Sequence, residues 1–192
     1  MSFYSDTELS ALGLGGFGQR VMVSKKCSIY GAERIIIGNN VRIDDFCVLS
    51  AGHGGVKIGS FVHIAIFSSL IGQGSIEVAD FANISSRVSI YSSNDDYSGE
   101  HMTNPTIPEE YKGVVHRPVK IGRHVIIGSG SIVLPGVCIH DGAAIGALSL
   151  INSDCEAFGV YAGIPATRKS ERKCDLLTLE RQFLVSHAGS GK

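Results

Sequence analysis

Apolar residues recur at every sixth position late in the chain: Ile121, Ile127, Val133, Ile139, Ile145 and Ile151. A helix repeats its apolar face at i, i+3, i+4 and i+7, and a half-buried strand at every second residue. A period of six instead fits a parallel β-helix solenoid. Each six-residue unit there makes one short strand and one corner, three units close a triangular coil, and the branched residue fills the corner interior. Four positions after each of these residues stand Val125, Ser131, Val137, Ala143, Ser149 and Cys155. All are small or β-branched, as a narrow interior requires where strands stack at roughly 4.8 Å.

The pattern extends backwards through Val23, Ile29, Ile37, Ile43 and Leu49, then Ile58, Ile64 and Leu70, then Val78, Ile84 and Ile90. It predicts an all-β solenoid over 21–166 behind an N-terminal cap, 1–20. The cap holds a short helix over 6–12, with Asp6 or Thr7 as its N-cap and Leu9 and Leu12 on one face. The register stops after Ile90, and 91–120 reads as an extruded loop carrying Asn94, Asp95, Asp96, Tyr97 and His101, with Pro105, Pro108 and Pro118. Long loops in a compact repeat more often carry function than not. The third segment, 167–192, predicts a helix over 171–186 with Leu176, Leu177, Leu179, Phe183 and Leu184 at helical spacing, packed on the prism or on a neighbouring subunit. Residues 188–192 read as a disordered or tag-like tail.

Composition narrows the partners. A net charge of −1 gives no electrostatic footprint for nucleic acid or an anionic membrane. No apolar run is long enough to insert in a bilayer, and the N-terminus lacks signal-peptide character, so the cytoplasm is expected. The 24 glycines against 5 prolines suit a fold of many tight corners. The 5 cysteines include no CxxC pair, and Cys27, Cys47 and Cys155 fall in the small interior slot, where they read as filler. No metal is expected, because no convergent set of zinc ligands is found.

Three stretches carry a resemblance: Gly128-Ser129-Gly130-Ser131-Ile132-Val133-Leu134-Pro135-Gly136-Val137, Gly146-Ala147-Leu148-Ser149-Leu150, and Tyr161-Ala162-Gly163-Ile164-Pro165-Ala166. Together they resemble the hexapeptide-repeat acyltransferases, in particular the galactoside and maltose O-acetyltransferases and their relatives in surface-polysaccharide clusters. The resemblance implies a left-handed parallel β-helix, a homotrimer, and acetyl-CoA as acyl donor in a cleft between prisms. It further implies that Gly128, Ser129, Ala147 and Ser149 line the pantetheine channel, with Ala162 and Gly163 near the nucleotide end. Arg168, Lys169 and Arg172 are candidates for the coenzyme's phosphates on charge grounds, or else a solvated helix start.

Transfer to a hydroxyl or amine needs a base for the acceptor's proton and N–H groups for the developing oxyanion. In the galactoside-type enzymes a histidine stands eleven residues after the apolar residue of the coil preceding the loop, and eleven from Ile84 is Asp95. A carboxylate with a reference pKa of roughly 3.9 is a poor base toward a sugar hydroxyl. Asp95 and Asp96 are therefore expected to orient the acceptor or to pair with a histidine. His63 is the first candidate base, because it precedes Ile64, points outward, stacks with Asn83 of the next coil, and could meet the Asp95-Asp96 loop of a neighbouring subunit. His116 comes second, and Asn94, Tyr97 and His101 are placed to contact the acceptor. The expected activity is acetyl-CoA-dependent O-acetylation of a sugar hydroxyl in polysaccharide or glycan-precursor synthesis. The alternatives are N-acetylation of a nucleotide-linked amino sugar, which relaxes the demand for a base, and a non-catalytic scaffold.

Overall fold

The computed structural model describes residues 2–188. It forms a parallel β-helix in which three sheets of 6, 8 and 6 strands make the faces of a triangular prism. In the first sheet Val56–Ile58 pairs with Ile76–Val78, and that strand with Val119–Ile121. In the second, His63–Ile64, Asn83–Ile84, Ile126–Ile127 and Ala144–Ile145 stack in turn. The third stacks Ser69–Gly72, Ser89–Tyr91, Ile132–Val133 and Leu150–Ile151.

The period-six residues from Ile121 to Ile151 are all buried, and so are Val125, Ser131, Val137, Ala143, Ser149 and Cys155. One detail differs from expectation. From Ile121 to Ile151 each period-six residue ends a strand, while Ile29, Leu49, Leu70 and Ile90 lie inside theirs; corners need backbone turns, which fall on residues that follow. Several corner residues other than glycine are left-handed, including Phe61, Phe81 and His124 at φ of 59°, 61° and 55°. That conformation costs roughly 1–2 kcal/mol at a residue with a Cβ, and ring stacking offsets it. The Phe61 and Phe81 rings stack at 4.9 Å, and His124 stacks on Phe81 at 4.9 Å. Burial pushes the Cys27 thiol up to about 12 and the Cys47 and Cys155 thiols to about 11, which makes all three inert interior filler.

Helix α1, Asp6–Ala11, starts at the expected residue, but its cap is Ser5 and not Asp6 or Thr7. Its hydroxyl accepts from the Glu8 amide at 3.3 Å while the Glu8 carboxylate accepts from the Ser5 amide at 2.8 Å, a reciprocal capping box. Helix α2, Leu176–Ala188, starts later than position 171. The preceding Ala166–Glu171 is a strand that returns antiparallel against Gly159–Gly163, so the expected boundary at 166/167 cuts through a strand. Helix α2 docks on its own prism: Phe183 meets Phe61 edge-on at 5.2 Å, and Glu180 takes the His124 Nε2 at 2.7 Å and pairs with Arg123. The hydrogen bond from His124 leads in holding the Glu180 carboxyl below the usual carboxylate range. Positions 189–192 of the expected tail lie outside the described residues. Among the described residues no helix is long and apolar enough to cross a membrane.

Candidate functional site

The second sheet turns two rows of side chains outward. Strand register sets Arg42, His63, Asn83, Ile126, Ala144 and Val160 in one row. Two residues further along each strand, ladder hydrogen bonds such as Ala65 N to Ile84 O and Ser85 N to Ile127 O align Asp44, Ala65, Ser85, Gly128, Gly146 and Ala162. Small side chains leave a flat strip along the C-terminal coils, with Ser85 at its upper end. Coil stacking already demands the glycines: a Cβ on Gly128 would stand 2.4 Å from the Ala147 backbone nitrogen, and one on Gly146 3.0 Å from the Ala162 Cβ. Ser129 and Ala147 are exposed beside the strip. Ser149 instead faces the interior, where its hydroxyl donates to Gly146 O at 2.7 Å and accepts from Gly163 N at 3.2 Å.

The sequence reading missed Ser85 and Asp44. His63 donates through Nε2 at 2.9 Å to the Asp44 carboxylate, whose other oxygen accepts from Arg42 Nε at 2.7 Å. Burial pushes the Asp44 carboxyl up, and the hydrogen bonds from Arg42 and His63 outweigh it, leaving the group below the usual carboxylate range. The expected stacking of His63 on Asn83 is present as register. One coil of this prism spans about twenty residues, so Asp44, 19 positions before His63, is legible as a neighbour once the coil length is known.

The loop builds a second site. Its neck is closed by Ser93–Asn94 pairing antiparallel with Val115–His116, and His116 Nδ1 meets Ser93 Oγ at 2.8 Å. Asp95 and His116 line a cavity of about 1040 Å³ together with Tyr30, Arg34, His53 and Gln73. Asp96 does not line it. Its carboxylate accepts from Ser98 N at 2.8 Å and from His101 N at 2.9 Å, with His101 Nδ1 at 3.3 Å, so Asp96 and His101 tie the loop together. Asn94 and Tyr97 are exposed on it.

Led by the Ser98 amide, these donors lower the Asp96 carboxyl to about 2. A depressed carboxylate stabilises above its unfolded value, roughly 3.9, and loses that contribution as pH falls toward the folded one. Hydrogen exchange at the Ser98 and His101 amides is therefore expected to stay protected at pH 5 and to accelerate, after correction for intrinsic rates, as the pH approaches 2; Asp96→Ala exchanges fast throughout.

The three candidate phosphate ligands are engaged within the chain. Arg168 pairs with Glu156 and Glu171 at 2.9 and 2.6 Å, Lys169 Nζ donates to Thr167 Oγ1 at 2.8 Å, and Arg172 donates to the carbonyls of His124 and Gly142 at 2.8 and 2.9 Å. Arg168 and Lys169 are exposed on the return strand, so the helix-start alternative does not describe them.

A prism of hexapeptide coils, interrupted once by a loop that walls a cavity, is the architecture of the hexapeptide-repeat transferases. The chain belongs to that family. The description "Bacterial transferase hexapeptide (six repeats)" matches residues 118–153. The dTDP-4-amino-4,6-dideoxy-D-glucose acyltransferase of Escherichia coli is 55% identical over 189 residues, 98% of each chain. The putative lipopolysaccharide biosynthesis O-acetyl transferase WbbJ of E. coli K12 is 32% identical over 72% of this chain and 69% of its own. Among solved structures, AntD, an N-acyltransferase from Bacillus cereus in complex with dTDP and 3-hydroxybutyryl-CoA, superposes with a TM-score of 0.92 at 46% identity, covering 97% of this chain and 98% of that one. AntD variants changed at one aspartate or at one serine, ten positions apart, were crystallised with coenzyme A and with dTDP or dTDP-4-amino-4,6-dideoxyglucose.

Proposed function

We propose that the protein is an acyltransferase that moves an acyl group from acyl-coenzyme A, acetyl-CoA in the first instance, to the amino group of a dTDP-linked 4-amino-4,6-dideoxyglucose. The observation that carries this reading is the end-to-end match to the E. coli acyltransferase of that amino sugar, 98% of both chains. It favours the amino-sugar alternative over the sugar hydroxyl that the sequence alone suggested. The residues agree with an amine acceptor. Asp95 stands where the galactoside-type resemblance places a histidine, and an amine that reacts once neutral asks less of its base than a hydroxyl does.

Ser85 and Asp95 reproduce the ten-residue spacing of the serine and aspartate altered in AntD. Ser86 and Asp96 share that spacing, but Asp96 is occupied by the loop's own amides. Asp95 would hold the acceptor's ammonium, and Ser85, at the head of the small-residue strip, would face the thioester carried along Gly128, Gly146 and Ala162. Ser85 follows a strand of the second sheet, whereas Asp95 lies beyond the third. The reading therefore places the reaction between copies in a homotrimer, with the loop of one against the second sheet of the next.

Purified protein incubated with acetyl-CoA and dTDP-4-amino-4,6-dideoxyglucose should release thiol and yield an acetylated nucleotide sugar by mass spectrometry, with dTDP-glucose inert. Equal turnover of dTDP-glucose would overturn the amine reading. Mixing refolded Ser85→Ala and Asp95→Asn subunits should recover activity that neither has alone; no recovery argues that both groups act from one chain.

A further inference from the structure

The Arg42–Asp44–His63 group continues the same two rows beyond Ser85, away from the glycines of the strip, and does not line the loop cavity. The Asp44 side chain is only 8% exposed and spans two coils, with Arg42 Nε at 2.7 Å on one oxygen and His63 Nε2 at 2.9 Å on the other. Arg42 is itself seated, its guanidinium 5.8 Å from the Phe3 ring centroid. Taking a carboxylate almost wholly out of water is costly unless its partners are fixed, and a surface ion pair alone would return little. What the arrangement achieves is one ring orientation for His63, whose side chain stays 41% exposed on the outer face of the second sheet. A carboxylate on Nε2 holds the neutral imidazole with its proton on that nitrogen, so Nδ1 carries the lone pair. His63 lies opposite Asn83 in register, and alternation along that strand turns Ser85 to the same side.

We propose that Asp44 is a positioning residue that presents Nδ1 of His63 to the acceptor nitrogen as its proton acceptor. This rests on the amine-acylation reading above. In the step, the nitrogen lone pair forms a bond to the thioester carbonyl carbon, and the C–S bond breaks with its electron pair going to sulfur. The proton shed by nitrogen passes to His63 Nδ1 and from there to the departing thiolate. Asp95 holds the ammonium until water takes its first proton and frees the lone pair, and the imidazolium formed by the second proton stays paired with Asp44 until it protonates the thiolate.

The test uses the full-length protein with acetyl-CoA and the dTDP-linked amino sugar. His63→Ala is expected to lower kcat by about a hundredfold, the lower range for a lost proton-transfer group, with the KM for acetyl-CoA unchanged; rates are read well below the melting temperature, which falls as Asp44 loses a partner. Added imidazole should restore part of that turnover, which a packing role would not allow. Asp44→Asn should lower kcat by a smaller factor, again with the KM for acetyl-CoA unchanged. Full kcat in His63→Gln, or a His63→Ala defect that imidazole leaves untouched, overturns the proposal while the acceptor reading stands. A wild-type protein that transfers nothing to the amino sugar overturns the acceptor reading itself.

Discussion

Asp95→Asn is expected to lower turnover by about a hundredfold or more while acetyl-CoA binds as tightly as before. The substitution keeps the shape of the side chain and removes only its charge. On the proposed reading the acceptor amine arrives largely as an ammonium, which must be gathered from water and delivered neutral. A carboxylate lining the loop cavity can hold the cation and favour its approach, whereas an amide cannot. Steady-state rates together with calorimetric titration by coenzyme A separate the cases. Loss of kcat with normal coenzyme affinity supports the assigned role. Unchanged kcat with a raised acceptor KM would reduce Asp95 to a binding contact, and unchanged kinetics would remove it from the site.

Ile84→Ala should cost about 2–5 kcal/mol of stability, as other large-to-small changes in packed cores do. Ile84 is 0% exposed between Ile64 and Ile127, and the coils on either side leave little room for collapse. Ile36, in a strand of the same prism but 49% exposed, supplies the contrast: Ile36→Ala should stay within roughly 0.5 kcal/mol. Denaturant midpoints measure both. Equal shifts would mean that the interior of the prism is not the seat of its stability. Because Ile84 lies between Asn83 and Ser85, its truncation should also depress activity at denaturant concentrations where the fold persists.

The solenoid was legible because one periodicity governs both burial and pairing. Once Ile121, Ile127 and Val133 set the count, the interior positions from Val125 to Cys155 followed, and so did the loop, as the place where the count fails. What escaped was whatever depends on contacts between coils. Within the chain His63 is partnered by Asp44, and a ladder neighbour about twenty residues away leaves no local mark. Asp96 looked as available as Asp95 in the sequence, yet the loop's amides claim it. Ser85 reads as one corner serine among many until register sets it above Gly128. The exposed, polar residues 167–171 show no alternation and so read as the approach to a helix; only the return against Gly159–Gly163 makes Ala166–Glu171 a strand.

The loop leaves the prism and rejoins it without disturbing a single rung. Ile76 is paired with Val119 and Val78 with Ile121 as though nothing lay between, and Arg117 N to Ser92 O at 3.0 Å draws the neck shut. The excursion is thus a cassette. Its length is thermodynamically inexpensive to change, about 0.6 kcal/mol for each doubling, and its contents can be rewritten without altering the coils that carry it. If acceptor and donor are held as proposed, choice of acceptor should drift quickly within the cassette, while the strip of small residues that coil stacking itself fixes should change slowly.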